Sequence, residues 1–200
     1  QRTQLLAIAD EDVRRLDRLV TDISDASRID AQLSRASFEP VDVGLMIEAM
    51  LAARAARSGD EAGPRMAFAR PRKGTTAVMG DGHRLERAIG NVIDNAISFS
   101  PTGGLVCIAA TRLGDEVHVR VDDDGPGIEP SQREAIFRRF HSERPSGEAF
   151  GKHSGLGLAI ARTIIEGHGG TISARDRDDG RPGASLLITL PAREGSDPAG

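Results

Sequence analysis

The first 35 residues contain neither glycine nor proline, and all 23 glycines and 10 prolines of the 200-residue chain lie beyond them. An uninterrupted stretch of that length, with apolar residues at Leu5, Ile8, Val13, Leu16, Val20, Ile23, Ala26, Ile29 and Leu33, predicts one long amphipathic helix. Arg14, Arg15, Asp17, Arg18 and Asp22 occupy its other face. Such a stripe needs either a partner helix, from this chain or another copy, or the rest of the domain to pack against. The chain opens without Met in the middle of this pattern, so we expect a piece of a longer protein.

Phe38-Glu39-Pro40-Val41-Asp42 ends the helix, because Pro40 disfavours the helical conformation at the residue before it. Asp42 then caps a second helix to about Ser58. Short strands are expected at Met66–Ala69 and Thr75–Met79, separated by a basic turn. A third helix is capped by Asp81 and runs to Phe99, with Leu85, Ile89, Val92 and Ala96 as its core stripe. Leu105–Thr111 and Glu116–Asp122 read as a hairpin. A long loop with one short helix near 131–139 follows. A helix over Gly155–Gly167 and strands at Thr171–Arg175 and Ala184–Pro191 close the domain, and the residues from Ala192 form a tail. With four helices segregated from five or six strands, the class is α+β.

Composition removes several functions. A net charge of −4, from 26 Lys+Arg against 30 Asp+Glu, and an absence of Trp and Tyr argue against nucleic-acid and membrane-surface binding. One cysteine, Cys107, excludes an internal disulfide and a multi-cysteine zinc site. No run of 18 apolar residues suggests a membrane span.

Three motifs remain. Asn91 and Asn95 lie four apart on the third helix and, with Ser98, share one face. That face is either an ordinary solvated surface or a set of oxygen ligands for a hard cation such as Mg²⁺. Asp122-Asp123-Asp124-Gly125-Pro126-Gly127-Ile128 ends a strand; it is an acidic turn, a calcium-type loop, or a carboxylate set to accept from an exocyclic amine beside glycines that admit a ligand. Ser154-Gly155-Leu156-Gly157-Leu158 opens a helix whose first amides suit phosphate, although it matches neither the Walker nor the dinucleotide pattern. Arg138, Arg139, His141, Arg144, Lys152 and His153 lie between them. They either close over phosphates or keep the loop soluble.

The order of these motifs, with Ile136-Phe137-Arg138-Arg139-Phe140 between the second and third, resembles the catalytic and ATP-binding domain of sensor histidine kinases. The resemblance extends to Ile165-Glu166-Gly167-His168-Gly169-Gly170 and Leu190-Pro191 downstream and Glu39-Pro40-Val41-Asp42 upstream. The first helix resembles the second helix of that family's dimerisation and phosphotransfer domain. Asp22–Arg28 and Phe150–Gly155 are similar to alphaproteobacterial envelope-sensing kinases of the ChvG type. The implied fold is a two-layer α/β sandwich, a mixed sheet covered by three helices (the Bergerat ATP-binding fold shared with gyrase and chaperone ATPases), preceded by the long helix. The implied organisation is a truncated phosphotransfer helix over 1–37, a catalytic domain over 38–192 with a lid at about 129–154, and a tail over 193–200.

Carried over position by position, the resemblance makes Asn91 the Mg²⁺ ligand and puts Asn95 beside the phosphates. Asp123 takes the hydrogen bond from the adenine amino group, and Gly125, Gly127 and Ile128 shape the purine pocket. Gly155, Leu156, Gly157 and Leu158 bring the glycine box to the phosphates, Phe140 belongs to the nucleotide site, and Arg139 reaches the γ-phosphate side. The implied cofactors are ATP and Mg²⁺. The implied partners are phosphoacceptor helices of the same or the sister chain, in a homodimer, and a response regulator. The implied location is the cytoplasmic portion of an inner-membrane bacterial sensor.

Three positions depart from the family. Ser98 and Phe99 stand where Lys or Arg and Tyr are frequent, so one phosphate contact is either missing or supplied by Arg84 or Arg87. His153 replaces a lid glycine. None of His83, His118, His141, His153 and His168 has the phosphoacceptor context, so the acceptor is expected before Gln1 and the chain alone should not autophosphorylate. Two alternatives stay open: a nucleotide-binding regulatory module with little kinase activity, and an ATPase of the gyrase or chaperone branch. A monomer or weak dimer is expected.

Overall fold

The computed structural model describes residues 38–58, 63–141 and 155–193. The helix expected over 1–35, residues 142–154 of the expected lid, and residues 194–200 of the expected tail lie outside the described residues. Those described form β1 (Glu39–Asp42), α1 (Val43–Ser58), β2 (Arg65–Ala69), β3 (Ala77–Gly80), α2 (Gly82–Phe99), β4 (Leu105–Leu113), β5 (Glu116–Asp122), α3 (Gly157–Gly167), β6 (Thr171–Arg175) and β7 (Ser185–Pro191).

Five strands make one sheet in the order β2-β4-β5-β7-β6. β2 runs parallel to β4 and the other neighbours are antiparallel. The sheet is mixed, and with α1, α2 and α3 it forms the two-layer sandwich expected from the motifs. Period-two alternation explains why one face meets the helices. Ile108, Val121 and Leu186 oppose one another across β4, β5 and β7 and are buried. On α2 the expected stripe of Leu85, Ile89, Val92 and Ala96 is buried against them, each large side chain contributing about 1.5–3 kcal/mol by its removal from water. Ile160, Ile164 and Ile165 of α3 complete this core.

Capping follows the sequence at two helices. Asp81 accepts the Arg84 N–H at 3.1 Å and starts α2. Asp42 accepts the N–H groups of Gly44 and Leu45 at the start of α1. It also accepts the Gly74 N–H and the Thr76 hydroxyl from the turn before β3. Burial pushes the Asp42 carboxyl up, but the bonds from Thr76, Gly74, Leu45 and Gly44 outweigh it and hold the group below its ordinary range.

Four expectations are corrected. Glu39–Asp42 is a strand, not only a helix break: it pairs antiparallel with β3 in a second, two-stranded sheet, tied to the main body by a Val78–Ala192 bridge. That partner lies far along the chain, so nothing local announces the pairing. The helix near 131–139 is two separate 3₁₀ turns, Pro130–Gln132 and Ala135–Phe137, closed by three-residue main-chain bonds from the Gln132 N–H to the Glu129 carbonyl and from the Arg138 N–H to the Ala135 carbonyl. The last helix begins at Gly157, not Gly155, since Gly155 sits at φ 67°, a left-handed conformation outside any helix. The second short strand starts at Ala77, because the residues before it belong to the turn clipped by Asp42.

His168 is buried and structural. One ring nitrogen accepts the Asp81 N–H at 3.1 Å and the other donates to the Ile164 carbonyl at 2.7 Å. Its ring stacks on Phe38 with centroids 4.8 Å apart, joining the start of β1, the cap of α2 and the end of α3. No described helix is long and apolar enough to cross a membrane.

Candidate functional site

Asp123 follows the last residue of β5 and is 3% exposed. Its N–H donates to the Ala184 carbonyl at 2.9 Å. Its Oδ1 accepts the N–H groups of Gly125 at 2.8 Å and Ala184 at 3.1 Å. Among the described residues no donor reaches Oδ2, so one carboxylate oxygen is anchored and the other is open to a ligand N–H. Burial pushes the Asp123 carboxyl above its ordinary range and the adjacent Asp122 charge adds to this; the bonds from Ala184 and Gly125 and the Arg177 charge oppose it.

The glycines around this acceptor are there because a side chain has no room. A Cβ on Gly125 would lie 2.7 Å from Asp123 Oδ1 and 2.9 Å from the Phe99 carbonyl, so this loop sits directly on the C-terminal end of α2. Gly127 takes φ 83°, and a Cβ there would lie 3.2 Å from the Gly183 carbonyl. Ile128 is half-buried and packs against the core.

Two turns earlier on α2, the Asn91 amide donates from Nδ2 to the Gly157 carbonyl at 3.0 Å. That bond directs Oδ1, the atom suited to a hard cation, away from the contact. Gly157 opens α3, whose start has no side-chain cap bond; main-chain N–H groups at the positive end of a helix favour an anion. Asn95 is half-buried on the same side of α2. From Asn91 to Phe99, α2 advances about 12 Å. The Asp123 carboxylate and the Asn91 amide, the latter beside the start of α3, therefore stand at the two ends of one helix segment.

The glycine-box leucines contribute differently. The Leu156 side chain is 2% exposed and belongs to the core, so only its main chain can meet a nucleotide, and Leu158 packs half-buried against the same core. Phe140 and Gly155 stand on either side of residues 142–154 in the sequence. The Phe140 N–H donates to the Gly155 carbonyl at 3.0 Å. Both residues have positive φ, 62° and 67°, and a Cβ on Gly155 would strike the His141 carbonyl at 2.9 Å. Phe140 is 69% exposed, and Arg138 and Arg139 are exposed beside it. Phe137 is buried below them under the Arg162 guanidinium, 5.5 Å from its ring centre. Arg162 ion-pairs with Glu134 and Glu166. Arg84, suggested as a phosphate contact, pairs with Asp81 at 3.3 Å.

Residues that the sequence did not single out complete the purine end. Arg177, on the turn between β6 and β7, has a side chain only 2% exposed. It donates to the Asp123 carbonyl at 2.9 Å and the Asp124 carboxylate at 2.7 Å, and grips Asp179 with its remaining nitrogens. Gly183, at φ 127°, lies so close that a Cβ would fall 1.8 Å from the Asp123 carbonyl. The sequence signal available was the run of charges ending in glycine, Asp176 to Gly183, which reads equally well as a solvent-exposed turn.

Residues 80–194 match the family described as histidine kinase-, DNA gyrase B- and HSP90-like ATPase. The chain is similar to the sensor protein ChvG of Agrobacterium fabrum, 39% identical over 199 residues covering 96% of this chain and 33% of that protein. It is 41% identical over 197 residues to the ChvG protein of Rhizobium meliloti, covering 94% of this chain and 34% of that one. Among solved structures it is similar to the mycobacterial sensor histidine kinase MprB, with TM-score 0.62 and 33% identity over 78% of this chain and 98% of that one. The chain thus spans about a third of the length of the curated relatives it matches. With four of the five strands of the mixed sheet, Asp123 and the Asn91–Gly157 junction in that matched interval, the chain belongs to the histidine kinase-, gyrase- and HSP90-like ATPases and carries the ATP-binding catalytic domain of a sensor histidine kinase.

Proposed function

We propose that the chain binds ATP with Mg²⁺ and donates the γ-phosphoryl group to a histidine on a helix upstream of Gln1, from which it passes to an aspartate of a response regulator. The observation that carries this reading is the half-satisfied carboxylate of Asp123, held open at one end of α2 while Asn91 and the uncapped start of α3 stand at the other. Asp123 Oδ2 accepts the adenine amino group, and Gly125, Gly127 and Ile128 give the purine its walls. Asn91 Oδ1 fits Mg²⁺, and Asn95 and the main chain of Gly155–Leu158 hold the phosphates. When bound, the metal supplies charge neutralisation on the transferring group. Arg139 reaches the γ-phosphate from an exposed turn within the lid interval and offsets developing negative charge.

In this reading residues 1–37 are the second helix of a dimerisation and phosphotransfer domain, 38–192 the catalytic domain, and 193–200 a tail. The parent is a homodimeric inner-membrane sensor with this portion in the cytoplasm. Its own or its sister chain's phosphoacceptor helices are the immediate substrate. The test is to mix the chain with ATP, Mg²⁺ and a separately supplied acceptor-helix domain and to assay acid-labile phosphate. The expected result is phosphohistidine on the acceptor domain and none on this chain. Bound ATP with no transfer to any cognate acceptor would refute the kinase role and leave a nucleotide-sensing module.

A further inference from the structure

Asp123 is held at four points: its N–H, its carbonyl and twice at Oδ1. Three of those bonds come from main-chain groups of its own loop and of Ala184. The fourth comes from a buried guanidinium 54 residues further along the chain. Arg177 Nη1 is shared between the Asp123 carbonyl and Asp124 Oδ1, while Asp124 Oδ2 accepts the Leu105 N–H at 2.8 Å. On its far side Arg177 meets Asp179 through two parallel bonds of 2.9 and 2.6 Å, the planar fork geometry that lysine cannot reproduce. Asp179 in turn is held by the Arg181 N–H, and the Arg177 bonds lower its carboxyl to about 2. An arginine so fixed is a permanent cation with a fixed place.

We propose that Arg177 is the positioning residue of the purine acceptor: it fixes the main chain of Asp123 and sets a permanent positive charge beside its carboxylate. The inference rests on the assignment of Asp123 to adenine recognition and adds a residue to it. The charged groups around Asp123 are Asp122 on β5, Asp124 after it, and Arg177 with Asp179 on the β6–β7 turn; α2 contributes the uncharged Phe99 carbonyl next to Gly125. Burial and Asp122 disfavour the carboxylate, and among the described residues the guanidinium is the side-chain cation that opposes them. Without it the acceptor ionises at higher pH and its loop loses the tether across the turn.

The test is ADP affinity, by calorimetry across roughly pH 4.5 to 8, for wild type, Arg177→Met, Arg177→Lys and Asp123→Asn. Each variant is read against wild type, so the ionisation of the nucleotide itself cancels. In Arg177→Met the acid-side fall in affinity moves to higher pH, and affinity at the neutral plateau drops roughly tenfold. In Arg177→Lys the plateau drops, because the fork is lost, while the acid limb stays at its wild-type position. An acid limb unmoved in folded Arg177→Met overturns the proposal. If Arg177→Met does not fold, wild-type plateau affinity in Arg177→Lys overturns it instead. Wild-type affinity in Asp123→Asn refutes the adenine assignment itself, whatever the Arg177 variants do.

Discussion

The two ends of the candidate nucleotide site are built in opposite ways. At the purine end Asp123 is buried, bonded through its main chain and one carboxylate oxygen, and walled by glycines whose neighbours stand within 3.2 Å of a would-be Cβ. Toward the other end Phe140, Arg138 and Arg139 are exposed, and among the described residues one main-chain bond joins Phe140 to Gly155. The contrast is one of function. A rigid acceptor can discriminate a base because its geometry exists before the ligand arrives. Groups that must approach a transferring phosphoryl and then release it gain from being held by few contacts.

Four substitutions break or sharpen that contrast. Gly183→Ala has the largest expected effect: a Cβ 1.8 Å from the Asp123 carbonyl, at φ 127°, costs at least about 3 kcal/mol of stability, read by denaturant unfolding. Next, Asn91→Ala removes the oxygen assigned to Mg²⁺. The Mg²⁺-dependent gain in ATP affinity should fall roughly tenfold or more, while adenosine binding is unchanged. An equal loss for adenosine would show that Asn91 shapes the pocket and not the metal site.

Asp123→Asn acts on the protein without ligand in the opposite direction to its effect on binding. A folded-state carboxyl raised by burial gives stability below its unfolded value, and that stability is lost as pH rises through the folded one. At neutral pH the charged Asp123 therefore costs stability. The asparagine variant, which keeps an oxygen for the Gly125 and Ala184 N–H groups, should melt higher than wild type at pH 7, and the gap should close on acidification. The smallest effect is expected for Phe140→Gly. Relief of a left-handed conformation at φ 62° offsets the lost ring, and stability changes by less than about 1 kcal/mol, as a melting curve would show. A large loss there would mean the exposed end is as tightly built as the purine end.

Much of this was legible because it is local. The Asp81 cap, the α2 stripe, the β4–β5 hairpin and the glycine at each sharp turn are written within a few residues of where they act. The site residues came from motif order, and the structure brings Asn91 to Gly157 and Gly125 to the end of α2. What stayed hidden depends on pairing at a distance. β1 is four residues including a proline, with a partner beyond α1 and β2. Arg177 lies in a run of charges that looks solvated, and its burial exists only because the β6–β7 turn folds onto the end of β5. Gly155 was placed inside the helix because glycine at a helix start and glycine at a hinge read alike until φ is known.

The central claim is that Asp123 is the acceptor of an adenine pocket preformed in this chain. It is tested most directly by titrating wild type and Asp123→Asn with ATP, with and without Mg²⁺, in a calorimeter. The account predicts saturable binding by wild type, strengthened by Mg²⁺, and a loss of roughly a hundredfold in the folded Asp123→Asn protein under both conditions. Equal affinity in the two proteins would contradict it.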